Sequence, residues 1–327
     1  MPSRRSLLSY VLAPAALTGG LLAVNRAFGR SATPELVGLD GWLNADGPLT
    51  IAGLRGRVVL VEFCTYTCIN WRRTLPYVNR WNSEYGPQGL QIIGVHTPEF
   101  GFERVRGNVA SAIRELGVTH PVAQDNAYRT WDAWGNRAWP SFYLLDRDGR
   151  VRLVREGEGH AQEVEGAIRG LLGLARAGSR EHPTDDANLS RIRTPEIYFG
   201  SLHPTPQDRT QSPRRGEAAY VIAQPGGPRL NEYDLDGRWA RGEEPLVLRS
   251  PRGRVRVRFS AAKLYLIAGA PQPAPVRVSV DGGAERTVAE IGLPTLYTLL
   301  DGDRYGEHVL ELECATPGLS LFSTTFG

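Results

Sequence analysis

VVLVEFCTYTCINWRRTLPYV, residues 58–78, decides the fold of the first half of the chain. Its opening run from Val58 to Phe63 is short, apolar and rich in β-branched side chains, which predicts a buried strand. From Ile69 onward, apolar residues recur every three or four positions, which predicts a helix. Thr67 is placed to cap that helix, so Cys68 is expected in its first turn.

Cys68 therefore stands where a thiol becomes reactive. The unpaired backbone N–H groups and the dipole at a helix start favour an anion. A cysteine held there can have its pKa lowered from ~8.5 to roughly 3.5–7.5. The sequence predicts that Cys68 is largely a thiolate at neutral pH, the form that attacks disulfides and peroxides. The alternative is an unreactive buried thiol.

Further residues accompany Cys68 at characteristic spacings. Glu62 lies six positions before it and Pro76 eight positions after it, and Trp139-Pro140 immediately precedes the apolar run SFYLL. Together with the segments GLQIIGVHTPEF at 89–100 and WPSFYLLDRDGR at 139–150, this pattern resembles that of thioredoxin-like proteins. The resemblance is to their DipZ-type and TlpA-type extracytoplasmic branch in particular.

The resemblance covers residues 34–175 and implies an α/β thioredoxin-like fold for them. It also implies roles for three residues. Glu62 would be the buried acid that helps to move protons at the site, and Pro76 would kink the active-site helix. Pro140 would be a cis-proline that faces the cysteine.

One position departs from this pattern. The proteins that the segment resembles carry Cys-x-x-Cys, and here Trp71 occupies the place of the second cysteine. That second thiol normally expels the mixed disulfide. We therefore expect a thiol–disulfide oxidoreductase with a single nucleophile, Cys68, whose mixed disulfide is resolved by a thiol from solution or from another protein.

Cys64, four residues before Cys68, leaves two interpretations open. A functional Cys64–Cys68 disulfide requires Cα atoms within about 7 Å and converging Cβ vectors. Otherwise Cys64 is a small apolar filler. A zinc site built from Cys64, Cys68 and His96 is disfavoured because no fourth ligand is evident and the spacing is not a zinc signature. We expect neither a metal nor a cofactor.

Two functions besides disulfide exchange remain open. Thr65 lies three residues before Cys68 and supplies half of the T-x-x-C pattern of peroxiredoxins, although Val61 stands where their proline is expected. A one-cysteine thiol peroxidase would carry a sulfenic acid on Cys68 that an external thiol reduces. The third hypothesis is a non-catalytic binding module that uses the thioredoxin groove.

Side chains around Cys68 are candidates for substrate contacts. Trp71 and Trp139 are expected to flank the thiol as a hydrophobic wall, and Asn70 lies between the two positions of the cysteine motif. The backbone at Trp139, with Pro140 shaping the groove, is suited to bind an extended substrate chain by adding a strand. The two tryptophans could equally cover apolar core.

His96 and Glu99 follow the next predicted strand, Leu90 to Val95. In a parallel sheet the carboxyl ends of the strands meet at one edge, which would bring both residues near Cys68. His96 could act as a base or stabilise a thiolate, and Glu99 could carry a proton. The other interpretation of His96 is structural, as a histidine that closes the loop.

The second half of the chain is predicted to be all-β. RVRVRF at 254–259 and PVRVSV at 275–280 alternate strictly, and a turn signal follows at 281–283. After a polar connector at 176–192, we expect a jelly-roll-like β-sandwich at 193–327. Cys314 belongs to the apolar face of HVLELECA, which predicts a core residue.

TPEIYFG at 194–200 and LFSTTFG at 321–327 resemble the carbohydrate-binding-like β module of DipZ-type proteins. The resemblance implies that a carbohydrate could bind this domain. Trp239, Tyr265 and Tyr297 could stack on a sugar, and the other interpretation of these aromatics is that they form the core.

Residues 1–33 are expected to be an export signal or a membrane anchor. Ser3-Arg4-Arg5 resembles the start of a twin-arginine signal, and a weakly apolar run follows it. Either form places the body of the protein in the periplasm or cell envelope.

The expected partners follow from the chemistry and from the charge of the chain. They are exported proteins or small molecules that carry thiols or disulfides, together with a membrane thiol reductant. The formal net charge of +3 over 327 residues, without a basic stripe, argues against nucleic acid.

Overall fold

The computed structural model describes residues 33–175, 187–203, 206–223 and 226–327. The predicted export signal or anchor falls almost entirely on residues 1–32, outside the described residues, as does most of the predicted connector. Among the residues that are described, no helix is long and apolar enough to span a membrane.

The first domain is built on a mixed six-stranded sheet with the order β1-β4-β3-β2-β5-β6. Strands β2, β3 and β4 are parallel to one another, and β1, β5 and β6 join them antiparallel. The strands are β1 Gly41–Leu43, β2 Val58–Cys64, β3 Leu90–His96, β4 Val122–Gln124, β5 Ser141–Leu145 and β6 Val151–Glu156.

Helices cover both faces of this sheet, which completes the predicted thioredoxin-like α/β fold. They are α1 Ile69–Arg72, α2 Leu75–Tyr85, α3 Arg106–Glu115, α4 Arg129–Ala133 and α5 Ala161–Leu172. Short 3-10 turns lie at Ala52–Leu54, Gly86–Gln88 and Gly101–Arg104.

The central strand β2 is buried along its whole length because both of its faces meet apolar layers. Leu60 packs with α2 and α5 on one face, whereas Val61 and Phe63 pack with α4 on the other. Side chains alternate along a strand, so Glu62 lies on the same face as Leu60. A carboxyl group is therefore held inside an apolar layer.

The helix predicted from Ile69 onward is two helices, Ile69–Arg72 and Leu75–Tyr85. The Thr74 N–H donates to the Trp71 carbonyl at 2.8 Å, which tightens the chain at the end of α1. Pro76 has no N–H to continue the helical ladder, and it lies in the first turn of α2. The break at this proline agrees with the kink that the family resemblance implies.

The β domain contains one antiparallel sheet that closes on itself. The long strand β11 pairs with β14 along most of its length, and its other edge pairs first with β9 and then with β15. Strand β10 joins β9 to β15, which closes the circuit. The strands are β7 Ile197–Tyr198, β8 Gly216–Tyr220, β9 Tyr233–Arg241, β10 Leu246–Leu248, β11 Gly253–Gly269, β12 Ala274–Val280, β13 Arg286–Ile291, β14 Thr295–Cys314 and β15 Ser320–Phe326.

One apolar core fills this closed sheet and confirms the all-β prediction. Trp239, Phe259 and Cys314 are all buried in it. Tyr265 is also buried, next to the first domain. Trp239 and Tyr265 are therefore core residues, and the suggestion that they stack on a sugar is wrong for both.

The two domains share a second apolar cluster. Ile69, at the start of α1, and Phe100, after β3, pack against Tyr265, Leu296 and Phe322 of the β domain. Because Ile69 directly follows Cys68, the β domain covers the edge of the sheet at which the cysteine lies.

Candidate active site

Cys68 lies at the corner between β2 and α1, where it caps the helix with φ −69° and ψ 114°. Its N–H donates to the Thr65 carbonyl, and its own carbonyl accepts from the Arg72 N–H. Its Sγ atom lies 3.8 Å from the carbonyl oxygen of Trp139. The Trp139-Pro140 peptide bond is cis. The structure thus brings the thiol and the Trp139-Pro140 loop together.

The prediction of a thiolate at neutral pH is wrong. Burial raises the pKa of the Cys68 thiol, and the backbone N–H groups of Trp71 and Asn70 oppose this effect without offsetting it. The charges of Glu99 and Glu196 raise the pKa further. The physical reason is burial, which disfavours the charged form of the thiol more than the N–H groups at the start of α1 stabilise it.

Thr67 does not cap α1, contrary to the prediction. Its hydroxyl donates to Oε1 of the buried Glu103 at 2.7 Å, and its N–H donates to the same atom at 3.3 Å. The Oε2 atom of Glu103 accepts from the N–H groups of Glu99 at 2.6 Å and Phe100 at 3.0 Å. One carboxylate therefore ties the segment before Cys68 to the loop after β3.

Glu62 is completely buried, and burial raises its pKa to about 8. The Thr74 hydroxyl donates to its Oε1 atom at 3.2 Å. Its Oε2 atom lies 3.8 Å from Nε2 of His120, whose pKa burial lowers to about 4. The charge of Glu62 helps to raise the pKa of Cys64.

Cys64 is buried at the end of β2, in an apolar cluster against which Cys68 also packs. A Cβ atom added at Gly94 on β3 would meet Sγ of Cys64 at 3.7 Å and Nε2 of His120 at 3.5 Å, so Cys64 faces β3. The Sγ atom of Cys68 instead lies beside the Trp139 carbonyl. Both cysteines are free thiols in the structure, so it contains no Cys64–Cys68 disulfide.

His96 is a buried structural group at the end of β3. Its Nε2 atom accepts the Tyr66 N–H at 3.3 Å, and its ring stacks on that of Tyr66 with centroids 5.8 Å apart. Burial lowers its pKa to about 3, so the ring is neutral at pH 7. These contacts agree with a histidine that closes the loop.

The two tryptophans near Cys68 are not equivalent. Trp71 is fully buried in a cluster with Cys64 and Leu75, so its ring does not line an open groove. The prediction that this ring forms part of a hydrophobic wall beside the thiol is wrong. Trp139 is half-buried and packs against Trp131 with ring centroids 4.5 Å apart. Trp71 therefore fills the space behind the thiol.

The remaining predicted residues have their own surroundings. Asn70 is half-buried, and its side-chain oxygen accepts from Arg73 at 3.5 Å. Thr65 is buried, and the contact that the structure shows between it and Cys68 is through the backbone.

Glu99 contacts the β domain. Its Oε1 atom lies 2.6 Å from the hydroxyl oxygen of Tyr198, and that hydroxyl lies 3.0 Å from Oε2 of Glu196. The other oxygen of Glu196 accepts from the Ser323 hydroxyl at 2.8 Å. Glu99 is half-buried and Glu196 is exposed, so this group opens to solvent on the side of the β domain.

Polar contacts fasten the two domains around α1. Arg72 donates to the Thr295 hydroxyl at 2.9 Å, and the Tyr66 hydroxyl donates to the Pro294 carbonyl at 3.1 Å. The guanidinium of Arg73 donates to the Phe326 carbonyl at 3.3 Å. These contacts, together with the shared apolar cluster, hold the β domain beside the thiol.

Four residues of the site were not found from the sequence: Glu103, His120, Tyr198 and Glu196. The neighbours that place Glu103 and His120 in the site, Thr67 and Glu62 respectively, are distant from them in the sequence. Tyr198 and Glu196 belong to the β domain, and no sequence signal placed that domain beside Cys68. In the part of the chain that the structure describes, no cluster of His, Cys, Asp and Glu could hold a metal.

Comparison with known proteins agrees with this architecture. Residues 194–327 match a family model described as thioredoxin like C-terminal domain. The chain is 36% identical over 301 residues to protein DipZ of Mycobacterium bovis and of Mycobacterium tuberculosis, which covers 90% of the chain and 42% of each relative. It thus spans less than half the length of these curated relatives.

The first domain also has shorter relatives. Thiol-disulfide oxidoreductase YkuV of Bacillus subtilis is 28% identical over 144 residues, which covers 44% of this chain and 95% of YkuV. The crystal structure of a thioredoxin-like superfamily protein, SPOA0173, is 25% identical with a TM-score of 0.41, covering 45% of this chain and 99% of that one. The chain is thus similar to DipZ across both of its domains, and its first domain has a thioredoxin-like fold.

Proposed function

We propose that this chain is a thiol–disulfide oxidoreductase in which Cys68 is the single nucleophile. The observation that carries the proposal is the position of the Cys68 sulfur, at a helix start and 3.8 Å from the Trp139 carbonyl that precedes Pro140. YkuV, a relative of the first domain, is named as an enzyme of this activity.

The exchange has two steps. The Cys68 sulfur attacks one sulfur of a substrate disulfide, a new S–S bond forms, and the other substrate sulfur leaves as a thiol once it has gained a proton. A second thiol, from solution or from another protein, then attacks the mixed disulfide and releases Cys68. We assign this step to an external thiol because Trp71 occupies the place of a second cysteine and Cys64 is a buried, free thiol.

The substrate would lie along the Trp139-Pro140 loop. Its extended backbone could pair with the backbone of this loop in the manner of an added strand. Exported proteins and small molecules that carry disulfides are suited to this site. We also propose that a membrane thiol reductant supplies the resolving thiol and that the chain works outside the cytoplasm, as its twin-arginine-like N-terminus suggests.

Intact-protein mass spectrometry tests the proposal. A Cys64→Ala/Cys314→Ala variant, in which Cys68 is the only thiol, is incubated with hydroxyethyl disulfide. We expect one mixed disulfide per chain, which a small thiol removes, and none in Cys68→Ser. A wild-type chain that forms no adduct would favour the non-catalytic binding module.

The same Cys68-only variant separates exchange from peroxide reduction. Treatment with micromolar hydrogen peroxide would produce a sulfenic acid on Cys68 if the chain were a thiol peroxidase. We expect this reaction to be no faster than that of a free cysteine, because the Thr65 side chain is buried and the Cys68 thiol keeps its proton.

A further inference from the structure

Disulfide exchange at Cys68 requires a group that moves protons. Burial raises the pKa of this thiol, so it carries a proton at neutral pH, and the attacking form must first lose that proton. The leaving sulfur of an aliphatic disulfide must in turn gain one. A proton acceptor and donor beside Cys68 would serve both steps.

Two of the predicted proton carriers are poorly placed for this task. Glu62 lies on the same face of β2 as Cys64, and its carboxyl oxygens lie beside the Thr74 hydroxyl and the His120 ring. His96 uses its Nε2 atom to accept the Tyr66 N–H, and its ring stays neutral. The remaining candidate is Glu99, whose charge does act on Cys68.

The contacts of Glu99 require an additional proton. The Tyr198 hydroxyl has one hydrogen, yet carboxylate oxygens lie on both sides of it, 2.6 Å away in Glu99 and 3.0 Å away in Glu196. The hydroxyl can donate to only one of them and must accept from the other. Both contacts are hydrogen bonds only if one carboxyl group is protonated. The three side chains therefore hold one transferable proton besides that of the tyrosine.

The structure also ties this group to the segment of Cys68. Glu103 accepts from Thr67, the residue before Cys68, and from the backbone N–H of Glu99. Ile69, the residue after Cys68, lies in the same apolar cluster as Phe100, the residue after Glu99. The neighbours of Cys68 and of Glu99 are thus held together on both sides.

The surroundings favour retention of this proton. The charges that act on Glu99 come from Glu196, Glu103 and Glu244, all of which are acidic. The imidazole of His203 stacks on the Tyr198 ring with centroids 3.9 Å apart, and burial lowers its pKa. Like charges close together favour the state in which one of them is protonated.

We propose that Glu99, Tyr198 and Glu196 form the proton-transfer group of the Cys68 site, so that the β domain supplies part of the catalytic machinery. This inference rests on the proposed exchange activity. The ionised carboxylate of the group takes the proton of the Cys68 thiol while the sulfur attacks R–S–S–R′. The bond between the substrate sulfurs breaks, Cys68 is oxidised to the mixed disulfide, and the group returns the proton to the leaving R′–S⁻, which is reduced to R′–SH.

The test compares two disulfides on the Cys68-only variant. Hydroxyethyl disulfide releases a basic thiolate that needs a proton, whereas 4,4′-dipyridyl disulfide releases a leaving group that does not. Glu99→Gln, Tyr198→Phe and Glu196→Gln are each added to this variant. The exposed Glu307→Gln serves as the matched control.

We expect the three changes to slow the reaction with hydroxyethyl disulfide about a hundredfold, the lower end of general acid–base effects. The same three changes should slow the reaction with 4,4′-dipyridyl disulfide by a factor at least about ten times smaller. Glu307→Gln should leave both rates unchanged. Equal losses with both disulfides, or no loss, would overturn the inference. Thermal unfolding identifies any variant that fails to fold, and Tyr198→Phe, which removes a single oxygen, keeps the test decisive.

Failure of the exchange activity itself would look different. If the unmodified Cys68-only variant reacts with neither disulfide faster than a free cysteine does, the proposed function is wrong and this inference is lost with it. If that variant reacts and the three changes leave the ratio of the two rates as it was, only the role of the proton-transfer group is wrong.

Discussion

The Glu62 carboxylate and the Nε2 atom of His120 lie 3.8 Å apart, and neither side chain reaches solvent. Burial acts on the two in opposite directions, because it raises the pKa of Glu62 to about 8 and lowers that of His120 to about 4. At neutral pH, therefore, both are uncharged. They form a buried polar pair behind Trp71 and not an ion pair.

Glu62 should make the protein less stable as the pH rises from 6.5 to 8. In this window folded Glu62 keeps its proton, with a pKa of about 8, whereas unfolded Glu62 has lost it, with a pKa of 4.5. The free energy of unfolding should fall by about 1.4 kcal/mol per pH unit from this group. Glu62→Gln should remove that slope, measured by urea unfolding.

The choice of window isolates Glu62 from its neighbour. Below pH 6.5, unfolded His120 gains a proton that the folded state does not bind until about pH 4, so stability from His120 is lost as the pH falls. Above pH 6.5 less than half of unfolded His120 carries this proton, and the comparison of wild type with Glu62→Gln cancels the remaining effect. The exposed Glu115→Gln is the control, and an unchanged slope in Glu62→Gln would show that Glu62 is ionised when buried.

Cys68 should titrate far above neutrality. Since burial raises its pKa, the rate of its alkylation by iodoacetamide should rise about tenfold per pH unit from neutral to alkaline pH without levelling off. The measurement uses the Cys64→Ala/Cys314→Ala variant. A rate that is already constant around neutral pH would restore the thiolate expected from the helix dipole.

Glu103 should stabilise the segment before Cys68. Its carboxylate accepts hydrogen bonds from Thr67, Glu99 and Phe100 while it is buried. In Glu103→Gln, the side-chain NH2 group would face N–H or O–H donors and could accept from none of them. The free energy of unfolding should therefore fall by about 2 kcal/mol. Urea unfolding measures the loss, and the same change at Glu115 should cost little. Equal effects at the two positions would mean that this carboxylate does not fasten the loops.

Strand and helix periodicity predicted most of the first domain. The run from Val58 to Phe63 is β2 with one further residue, and the strand predicted from Leu90 to Val95 is β3. Local patterns carry this information because each strand buries both faces in apolar layers. The break at Pro76 and the position of the Trp139-Pro140 loop followed from the family resemblance.

The electrostatics of the site could not be read in the same way. The prediction for Cys68 considered the dipole of its own helix, but the pKa depends first on burial, and the charge of Glu196 in the β domain raises it further. Tyr198 and Glu196 reach the site through the β domain, and periodicity says nothing about how two domains pack. Glu103 and Thr67 likewise meet across 36 positions.

The apolar contact between the domains should control access to Cys68. Phe322 packs against Phe102 and Phe100 of the first domain, with centroids 4.7 and 5.3 Å apart. Phe322→Ala should loosen the β domain at a cost of about 3 kcal/mol. Alkylation of Cys68 should then become several times faster at a fixed pH.

Phe142→Ala is the matched control for this prediction. Phe142 is buried in the core between β5 and the helices α2 and α5, away from the β domain. Phe142→Ala should lower the free energy of unfolding by a similar amount, but below the unfolding temperature Cys68 should be alkylated no faster than in the wild type. The same acceleration in both variants would indicate general loosening and not a cover over Cys68.

The central claim is that the Cys68 sulfur performs disulfide exchange. The most direct measurement is the rate at which a small thiol reduces a disulfide-linked peptide with and without the full chain. We predict that catalytic amounts of the wild-type chain raise this rate at least about tenfold and that Cys68→Ser abolishes the increase, while Cys314→Ala retains it. Equal rates with wild type and Cys68→Ser would contradict the account.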